Sequence, residues 1–240
     1  MSAVAAVARI LVTGGGRGLG RAIATALAAP GRRIAVFGRN ARGLEESAER
    51  VAEAGASPLT IVGDLAIAAD RDRLVHMIDA AWGGLDWLVN NAGAGFGKPF
   101  RDHTSAEIEA VTAVNLTAPI QLTHALLPLL DRSAGGHIVN ISSDIGRRPI
   151  ANMVPYVAAK HGMVGFSHAL RLELRPAGIK VGVILPGRID TSFNNRIEGS
   201  RPGPEALRPG DVAAAVVSML GQSPTAQIDE LTIHPMGQDA

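Results

Sequence analysis

The feature that most constrains this chain is a glycine-rich run near its N-terminus, Thr13-Gly-Gly-Gly-Arg-Gly-Leu-Gly20. The run follows the β-branched segment Arg9–Thr13 and leads into the Ala-rich segment Gly18–Ala29, so it predicts a tight turn between a strand and a helix. Glycines let the backbone approach a pyrophosphate, and a helix N-terminus offers free N–H groups to it. The run therefore predicts a dinucleotide site; the alternative is a glycine-rich turn without a ligand.

The rest of the chain repeats this alternation of short apolar segments and longer helical ones. Strands such as Ile34–Phe37 are apolar on both faces, which is typical of a parallel sheet covered by helices. We expect an α/β fold: a single-domain doubly wound (Rossmann) parallel sheet of about seven strands across residues 1–240. The irregular segment 190–210 is predicted to be a substrate lid. The predicted strands are Arg9–Thr13, Arg32–Phe37, Leu59–Val62, Leu85–Asn90, His137–Ser142, Lys180–Leu185 and Ile228–His234. The predicted helices are Gly18–Ala29, Ala41–Ala54, Ala68–Trp82, Ser105–Leu130 (kinked or ended by Pro119 and Pro128), Pro155–Leu174 and Asp211–Leu220.

Composition excludes several functional classes. The 240 residues include no cysteine, which excludes disulfides, thiolate metal sites and cysteine nucleophiles. The net charge of +1 provides no general field for nucleic acid or an anionic membrane. The seven histidines form no ligand motif, so we expect no metal site. No apolar stretch of membrane-spanning length lacks a charge or a turn residue, and the N-terminal apolar run resembles no secretory signal. We therefore expect a cytoplasmic protein.

The residues after the second predicted strand bear on the choice of dinucleotide. Folds that prefer NAD place an acid there, about 20 residues after the glycine run, to bind a ribose hydroxyl. Here the strand ends Phe37-Gly38-Arg39-Asn40, and no acid follows until Glu45. Arg39 can pair with a 2′-phosphate, and Arg17 lies near the same place. We therefore expect NADP(H) rather than NAD(H); the alternative is two solvated arginines.

A tyrosine, a lysine and a serine form the candidate catalytic group. Tyr156, the only tyrosine, and Lys160 are four residues apart on a predicted helix and share one face. A nearby ammonium lowers a phenol's pKa, so that the phenol can exchange a proton with an alcohol oxygen. Ser142 and Ser143 end the fifth predicted strand, at the sheet edge where ligands bind. A hydroxyl there can hold a carbonyl oxygen beside the phenol; Ser142 is the weaker candidate and is read as structural.

Taken together, these motifs resemble the short-chain dehydrogenase/reductase family over nearly the whole chain. The matching segments are the Thr13–Gly20 run, Asn90-Asn91-Ala92-Gly93, Asn115, Ser143 with Tyr156-x-x-x-Lys160, and Pro186-Gly187 followed by Thr191. The resemblance implies an NADP(H)-dependent oxidoreductase that interconverts a carbonyl and a secondary alcohol.

The resemblance also implies a role for each matching residue. Tyr156 would be the general acid/base, Lys160 would lower its pKa and hold the nicotinamide ribose, and Ser143 would orient the substrate oxygen. Asn115 would support a water that connects Lys160 to solvent. The remaining residues would contact the cofactor: Thr13, Gly14, Arg17, Gly18, Leu19, Gly20, Arg39, Asp64, Leu65, Asn91, Ala92, Gly93, Pro186, Gly187, Ile189 and Thr191.

Several alternatives stay open at this point. A 3-oxoacyl-thioester reductase would use an apolar pocket, for which the candidates are Phe96, Phe100, Met153 and Phe193. A non-catalytic NADPH-sensing protein, or an isomerase or dehydratase, could share the fold. Arg147 and Arg148 either attract an anionic substrate or form a solvated pair, and Asp64 is also compatible with turn chemistry alone. The family's usual serine before the lysine is Ala159 here, and the C-terminal strand lacks a Val-Asp-Gly-Gly ending. Homodimer and homotetramer therefore both remain open.

Overall fold

The computed structural model describes residues 8–95, 97–133, 135–191, 193, 199–200 and 203–238. In this part of the chain, seven strands form one parallel sheet and seven α-helices flank it. The strands are β1 (Arg9–Thr13), β2 (Arg33–Gly38), β3 (Ser57–Val62), β4 (Trp87–Asn90), β5 (His137–Ile141), β6 (Lys180–Pro186) and β7 (Glu230–Ile233). The helices are α1 (Gly18–Leu27), α2 (Ala41–Glu53), α3 (Ala68–Trp82), α4 (Ser105–Thr112), α5 (Ala118–Leu130), α6 (Val154–Leu174) and α7 (Pro209–Leu220).

The strand order is β3-β2-β1-β4-β5-β6-β7, which confirms the predicted doubly wound sheet. Alternate residues of β1 point to opposite faces: Ile10 and Val12 pack in the cluster that contains α1 and α7, whereas Leu11 packs with α3 and α5. Both faces are therefore buried, which explains the continuously apolar strands. Successive strands are added on one side of β1 up to β3 and on its other side from β4 onward, so the order of the strands reverses between β1 and β4. A crevice opens at the carboxyl ends of parallel strands at such a switch point.

Strand ends differ from the sequence prediction by one or two residues in every strand except β1, both in the central strands and at the two edges. Strand β3 begins at Ser57, two residues earlier than expected, and includes Pro58. Proline lacks a backbone donor, but β3 is the outer strand of the sheet and needs hydrogen bonds on one side only. Strand β7 lies at the other edge and is shorter than expected, Glu230–Ile233.

The predicted long helix Ser105–Leu130 is three helical segments. A π-helical segment, Ala113–Thr117, separates α4 from α5. Pro119 lies in the first turn of α5, where proline is accommodated, and Pro128 lies inside the helix two residues before its end. By length and composition, the whole stretch could cross a membrane. Four of its six leucines, Leu122, Leu126, Leu129 and Leu130, are however buried in the cluster that includes strand residues, as in the core helix of a globular domain.

Candidate active site

A cleft of about 1200 Å³ runs along the carboxyl ends of the strands at the switch point. The glycine run forms one wall, and residues that follow β2, β4, β5 and β6 form the others. The residues named from the sequence as cofactor contacts, except Thr13, converge here, although they lie up to 177 positions apart, from Gly14 to Thr191. The fold therefore brings the dispersed motifs to one place.

The glycine run is a turn that side chains would block. Gly14 has a φ of +67°, and a Cβ there would lie 2.9 Å from the Cα of Ala92. A Cβ on Gly20 would collide with the carbonyl oxygen of Gly14. Arg17 caps α1 without any side-chain hydrogen bond to the first-turn N–H groups. Those N–H groups are thus left for a ligand at the positive end of the helix dipole.

Arg21 holds this turn in place, a role the sequence analysis did not identify. Its Nη2 donates to the carbonyl oxygen of Gly16 at 2.7 Å, to that of Gly43 at 3.2 Å and to Glu46 Oε2 at 2.8 Å. Its Nε donates to Ser47 Oγ at 3.0 Å. The side chain therefore ties the glycine turn to α2. In the sequence, the signal that could have identified this role was the position of Arg21 in the first turn of α1, directly after a run of glycines that carry no side chains.

Thr13 and Asn91 lie at the ends of β1 and β4. Thr13 is fully buried and does not line the cleft, so the structure does not support a direct contact with a cofactor. Asn91, Ala92 and Gly93 do line the cleft, as expected. The reason for the difference is that the Thr13 hydroxyl is engaged in hydrogen bonds within the protein.

Arg39 and Asp64 face each other at the end of the cleft near β2 and β3. Asp64 Oδ1 accepts the N–H of Ala66 at 3.0 Å, which is turn chemistry, while Oδ2 lies 3.7 Å from Arg39 Nη1. Arg39 is 74% exposed and Arg17 is also exposed, so both guanidinium groups can reach a ligand at the mouth. Asp64 and Leu65 line the cleft, so a cofactor contact of Asp64 stays a prediction beside its observed turn bond.

Tyr156 and Lys160 lie one turn apart near the start of α6, and both are buried. Lys160 Nζ donates to the carbonyl oxygen of Ile141 at 2.9 Å and lies 5.5 Å from the centre of the Tyr156 ring. Burial lowers the pKa of Lys160 to about 8. Burial, and then the negative charge of Asp144, raises the pKa of Tyr156. The net direction is opposite to the lowering expected from Lys160, because desolvation of the phenolate is the largest cause of the shift.

The two serines have different surroundings. Ser142 is buried, and its hydroxyl donates to the carbonyl oxygen of Lys160 at 3.0 Å, which agrees with the structural role expected for it. Ser143 lines the cleft, and its Oγ lies 3.0 Å from Asp144 Oδ1 and 3.4 Å from the carbonyl oxygen of Pro186. Ser143 is thus the serine that faces the space above Tyr156.

Asn115 lies in the π-helical segment, behind the cleft wall. Its Nδ2 donates to the carbonyl oxygens of Ala94 and Val111. Its Oδ1 is buried and accepts no hydrogen bond from the described residues. A Cβ on Gly93 would lie 2.8 Å from this oxygen and 3.8 Å from Lys160 Nζ. Asn115 Oδ1 and Lys160 Nζ therefore both face Gly93, as a connecting water would require.

The remaining cofactor candidates follow β6. Pro186, Gly187, Ile189 and Thr191 line the cleft, and a Cβ on Gly18 would touch the Thr191 side chain at 3.4 Å. Ile189 pairs with Leu207, so the two ends of segment 190–206 meet. Residues 192, 194–198, 201 and 202 lie outside the described residues, so the lid remains a prediction.

The part of the cleft around Tyr156 is largely apolar. Tyr156 packs with Ile145, Met153 and Phe193, whose ring lies 5.9 Å from the Tyr156 ring, and Val114 and Ile150 line the same cleft. The sequence-based assignment of Phe100 to this pocket is wrong, because its side chain is 55% exposed and lies outside the cleft. Phe96 lies outside the described residues.

Neither Arg147 nor Arg148 is an unpaired surface cation. Arg147 Nη2 lies 2.7 Å from Glu230 Oε2, and Arg148 Nη2 lies 2.9 Å from Asp144 Oδ2. Both side chains are nevertheless exposed, Arg147 to 56% and Arg148 to 43%, which agrees with the solvated pair. Attraction of an anionic substrate stays a prediction, for which Arg148 at the cleft wall is the better placed of the two. Asp144 and Gln238 line the cleft beside Arg148 and were not identified from the sequence. The signal in the sequence that could have identified Asp144 was the presence of an acidic residue directly after the candidate catalytic serine, Ser143.

Comparison with known proteins gives a consistent result. A family model described as short chain dehydrogenase matches residues 8–201. An uncharacterized oxidoreductase of Staphylococcus aureus (strain MRSA252) is 30% identical over 226 residues, covering 94% of this chain and 96% of that protein. The ketoacyl reductase HetN of Nostoc sp. is 33% identical over 221 residues, covering 91% of this chain and 77% of that protein.

Among solved structures, an alcohol dehydrogenase from the archaeon Thermococcus sibiricus, complexed with 5-hydroxy-NADP, superposes with a TM-score of 0.91. It is 27% identical and the match covers 98% of this chain and 99% of that one. The cleft, the parallel sheet and these matches lead to one conclusion: the chain is an oxidoreductase of the short-chain dehydrogenase family.

Proposed function

We propose that this protein is an NADP(H)-dependent enzyme that interconverts a carbonyl and a secondary alcohol, with Tyr156 as the general acid/base. The observation that carries the proposal is the arrangement at the base of the cleft. Tyr156 and Lys160 are buried one helical turn apart, Ser143 follows β5 by two residues, and all three line the cleft that the glycine turn also lines. A proton donor, a cation beside it and a hydroxyl are the groups that carbonyl reduction requires.

The residues present fit a nicotinamide dinucleotide. The glycine turn is packed so closely that a Cβ on Gly14 or Gly20 would overlap other protein atoms, and the first-turn N–H groups of α1 lack side-chain caps. These groups would hold the pyrophosphate, and Asp64 and Leu65 would contact the adenosine. Lys160 would hold the nicotinamide ribose, with Ile189 and Thr191 on the carboxamide side. A bound nicotinamide supplies the hydride that forms the new C–H bond.

NADP(H) is favoured over NAD(H) by the residues at the end of β2. Arg39 and Arg17 are exposed at the mouth, and no acid follows β2 where a ribose hydroxyl would be held. Asn40, the next residue, uses its side chain to cap α2 at 2.9 Å and is not a substitute for that acid. The related alcohol dehydrogenase complexed with 5-hydroxy-NADP supports the same choice.

In the reductive direction, the protein's own groups handle the proton. The neutral Tyr156 phenol donates its proton to the carbonyl oxygen as negative charge develops there. Ser143 Oγ donates a hydrogen bond to the same oxygen once its proton turns away from Asp144. The resulting phenolate lies beside Lys160, whose charge stabilises it and which returns a proton to it. Asn115 Oδ1, which faces Gly93 together with Lys160 Nζ, supports the water that replenishes this proton from solvent.

The second candidate is a 3-oxoacyl-thioester reductase. The apolar lining formed by Val114, Ile150, Met153 and Phe193 suits an acyl chain. The similarity to a ketoacyl reductase points the same way. A panel of cyclohexanone, diacetyl and acetoacetyl-N-acetylcysteamine distinguishes the two, because a thioester reductase would turn over the thioester far faster than the simple ketones.

The test is loss of NADPH absorbance with this panel, run with the wild type and Tyr156→Phe. We expect turnover in the wild type and a loss of roughly 10²–10⁴-fold in the variant, the range for a general acid. NADPH binding, followed by its fluorescence, should be retained. His161→Gln on the exposed face of α6 is the matched control and should keep full activity. Tight NADPH binding without turnover of any panel member would favour an NADPH-sensing protein instead.

We also propose a cytoplasmic homodimer or homotetramer. The exposed faces of α4, α5 and α6 are the candidate interface, and Leu172 on α6 is 61% exposed. Sedimentation velocity would distinguish these assemblies from a monomer, and Leu172→Glu should weaken a dimer formed through α6.

A further inference from the structure

Asp144, the residue that follows Ser143, is a buried carboxylate at the centre of a hydrogen-bond network. Its side chain is 8% exposed. Oδ1 accepts from Ser143 Oγ at 3.0 Å and from the backbone N–H of Ile145 at 2.9 Å. Oδ2 accepts from Arg148 Nη2 at 2.9 Å and from Gln238 Nε2 at 2.7 Å. Each oxygen thus has two donors, which is the condition for keeping a buried carboxylate ionised.

The network also connects Asp144 to the segment after β6. Gln238 Oε1 accepts the backbone N–H of Arg188 at 2.8 Å, while its Nε2 donates to Asp144. His234 Nε2 lies 3.8 Å from Asp144 Oδ2. Burial raises the pKa of Asp144, but the hydrogen bonds from Arg148, Gln238 and Ser143 together lower it further than burial raises it. The carboxylate is therefore negative at neutral pH and cannot donate a proton to Ser143.

This arrangement determines what the Ser143 hydroxyl can do. A hydroxyl has one proton and two lone pairs. The proton has two acceptors within reach, the charged Asp144 Oδ1 at 3.0 Å and the neutral carbonyl oxygen of Pro186 at 3.4 Å. The hydrogen bond to the carboxylate is shorter and charge-assisted, so the proton points to Asp144. The lone pairs of Ser143 are then the part that is left for a ligand in the cleft.

An alcohol and a carbonyl differ in what they need from Ser143. The oxygen of an alcohol carries a proton that can be donated to a Ser143 lone pair. A carbonyl oxygen only accepts, so it can use Ser143 only if the serine proton leaves Asp144. From this we propose, building on the function proposed above, that Asp144 is a positioning residue that holds Ser143 as a hydrogen-bond acceptor and makes the site bind the alcohol more tightly than the carbonyl. The overall equilibrium of the reaction is unaffected, because only the binding steps change.

The experiment compares cyclohexanol with cyclohexanone as probes in the presence of tetrahydro-NADP, a cofactor analogue that transfers no hydride, so that neither probe is converted into the other. Their dissociation constants are measured by ligand-observed NMR, which needs no turnover. The wild type should bind cyclohexanol more tightly. Asp144→Ala should change the ratio of the two dissociation constants by about tenfold in favour of the ketone, which is the size of one charge-assisted hydrogen bond. Asp229→Asn is the matched control: it removes one acid, paired with Arg171 away from the cleft, and should leave the ratio unchanged.

A double-mutant cycle separates positioning from general damage to the fold. With Ser143→Ala in place, Asp144→Ala should change the ratio no further, because the group through which Asp144 acts is gone. A merely structural role would give the same loss of affinity for both probes, with or without the serine. Asp144→Asn is the second variant if Asp144→Ala does not fold, and it is expected to change the ratio in the same direction.

The only tyrosine gives a readout that is independent of any probe. Asp144 and Lys160 are the charged groups that face Tyr156, while Arg148 and His234 face Asp144. Removing the Asp144 charge should lower the pKa of Tyr156, seen as earlier phenolate absorbance in an ultraviolet titration. An unchanged ratio of dissociation constants in Asp144→Ala, together with turnover in the wild type, would overturn this proposal alone. Failure of both probes to bind the wild type would overturn it together with the proposed function.

Discussion

Two hydrogen bonds link Thr13 and Asn91, which lie 78 positions apart in the sequence. The backbone N–H of Asn91 donates to Thr13 Oγ1 at 3.0 Å, and Asn91 Nδ2 donates to the carbonyl oxygen of Thr13 at 2.9 Å. Thr13 Oγ1 also accepts the N–H of Ala92 at 3.1 Å. These bonds join the ends of β1 and β4 at the point where the cleft opens. They fix the distance between the glycine turn and the wall formed by residues 91–93.

Thr13→Val should destabilise the protein although the shape of the side chain is nearly unchanged. The variant leaves the N–H of Ala92 without its acceptor in a partly buried place and leaves the N–H of Asn91 only the carbonyl oxygen of Val89, at an expected cost of about 1–3 kcal/mol. Urea unfolding followed by circular dichroism measures this cost. Thr13→Ser keeps the hydroxyl and loses only a methyl group, so it should cost less than Thr13→Val. A larger loss in the serine variant would show that packing, and not the hydrogen bonds, makes Thr13 important.

Gly20→Ala and Gly210→Ala should have opposite effects. A Cβ on Gly20 would overlap the carbonyl oxygen of Gly14 and Asn91 Nδ2, so the glycine turn must move. We expect a loss of about 1–3 kcal/mol in the free energy of unfolding and weaker NADPH binding. Gly210, in the first turn of α7, has no atom within 4 Å of its added Cβ. Alanine there should leave stability unchanged or raise it by up to about 1 kcal/mol. Thermal unfolding of both variants, with NADPH titrations, tests the pair.

Arg39→Ala should reduce the preference for NADPH over NADH. Arg39 is exposed at the cleft mouth and its nearest acid, Asp64, lies 3.7 Å away, a distance that leaves the guanidinium free to turn to a phosphate. The ratio of the NADH to the NADPH dissociation constant should fall about tenfold, the size of one charge-assisted contact. The control is Arg33→Ala, which removes an exposed arginine from the opposite end of β2. Equal ratios in Arg39→Ala and the wild type would remove Arg39 from the cofactor site.

His137 should make the protein less stable in mild acid. It is buried in β5, its Nε2 has no hydrogen-bond partner among the described residues, and burial followed by the charge of Lys180 lowers its pKa to about 3. Between this value and the usual value of about 6.5, the unfolded chain binds a proton that the folded protein does not. Stability is therefore lost as the pH falls below about 6.5, by up to about 1.4 kcal/mol per pH unit.

The corresponding measurement is urea unfolding at about pH 7 and about pH 5, above the range where most carboxylates titrate. His137→Leu should flatten this pH dependence, because it removes the buried imidazole. His76→Gln, which changes an exposed histidine on α3, should keep the wild-type slope. The same slope in His137→Leu as in the wild type would assign the acid sensitivity to other groups.

Features carried by neighbouring residues were predictable from the sequence. Alternation of apolar segments indicated the parallel sheet, and the four-residue spacing placed Tyr156 and Lys160 on one face of α6. The position of Ser143 at the end of β5 followed in the same way. Such patterns are readable because helix and strand periods are properties of the local backbone. Identification of the family rested on several of these patterns together.

Features that depend on distant contacts were not predictable. Pro58 is compatible with β3 only because β3 is an edge strand. The Thr13 hydroxyl forms hydrogen bonds to the end of β4 instead of facing the cleft, because β4 lies beside β1. The raised pKa of Tyr156 comes from its burial and from Asp144, which no spacing rule reveals. Asp144 itself is oriented by Gln238, 94 positions later. Desolvation and hydrogen bonding depend on which atoms surround a group in space, so the folded chain alone decides them.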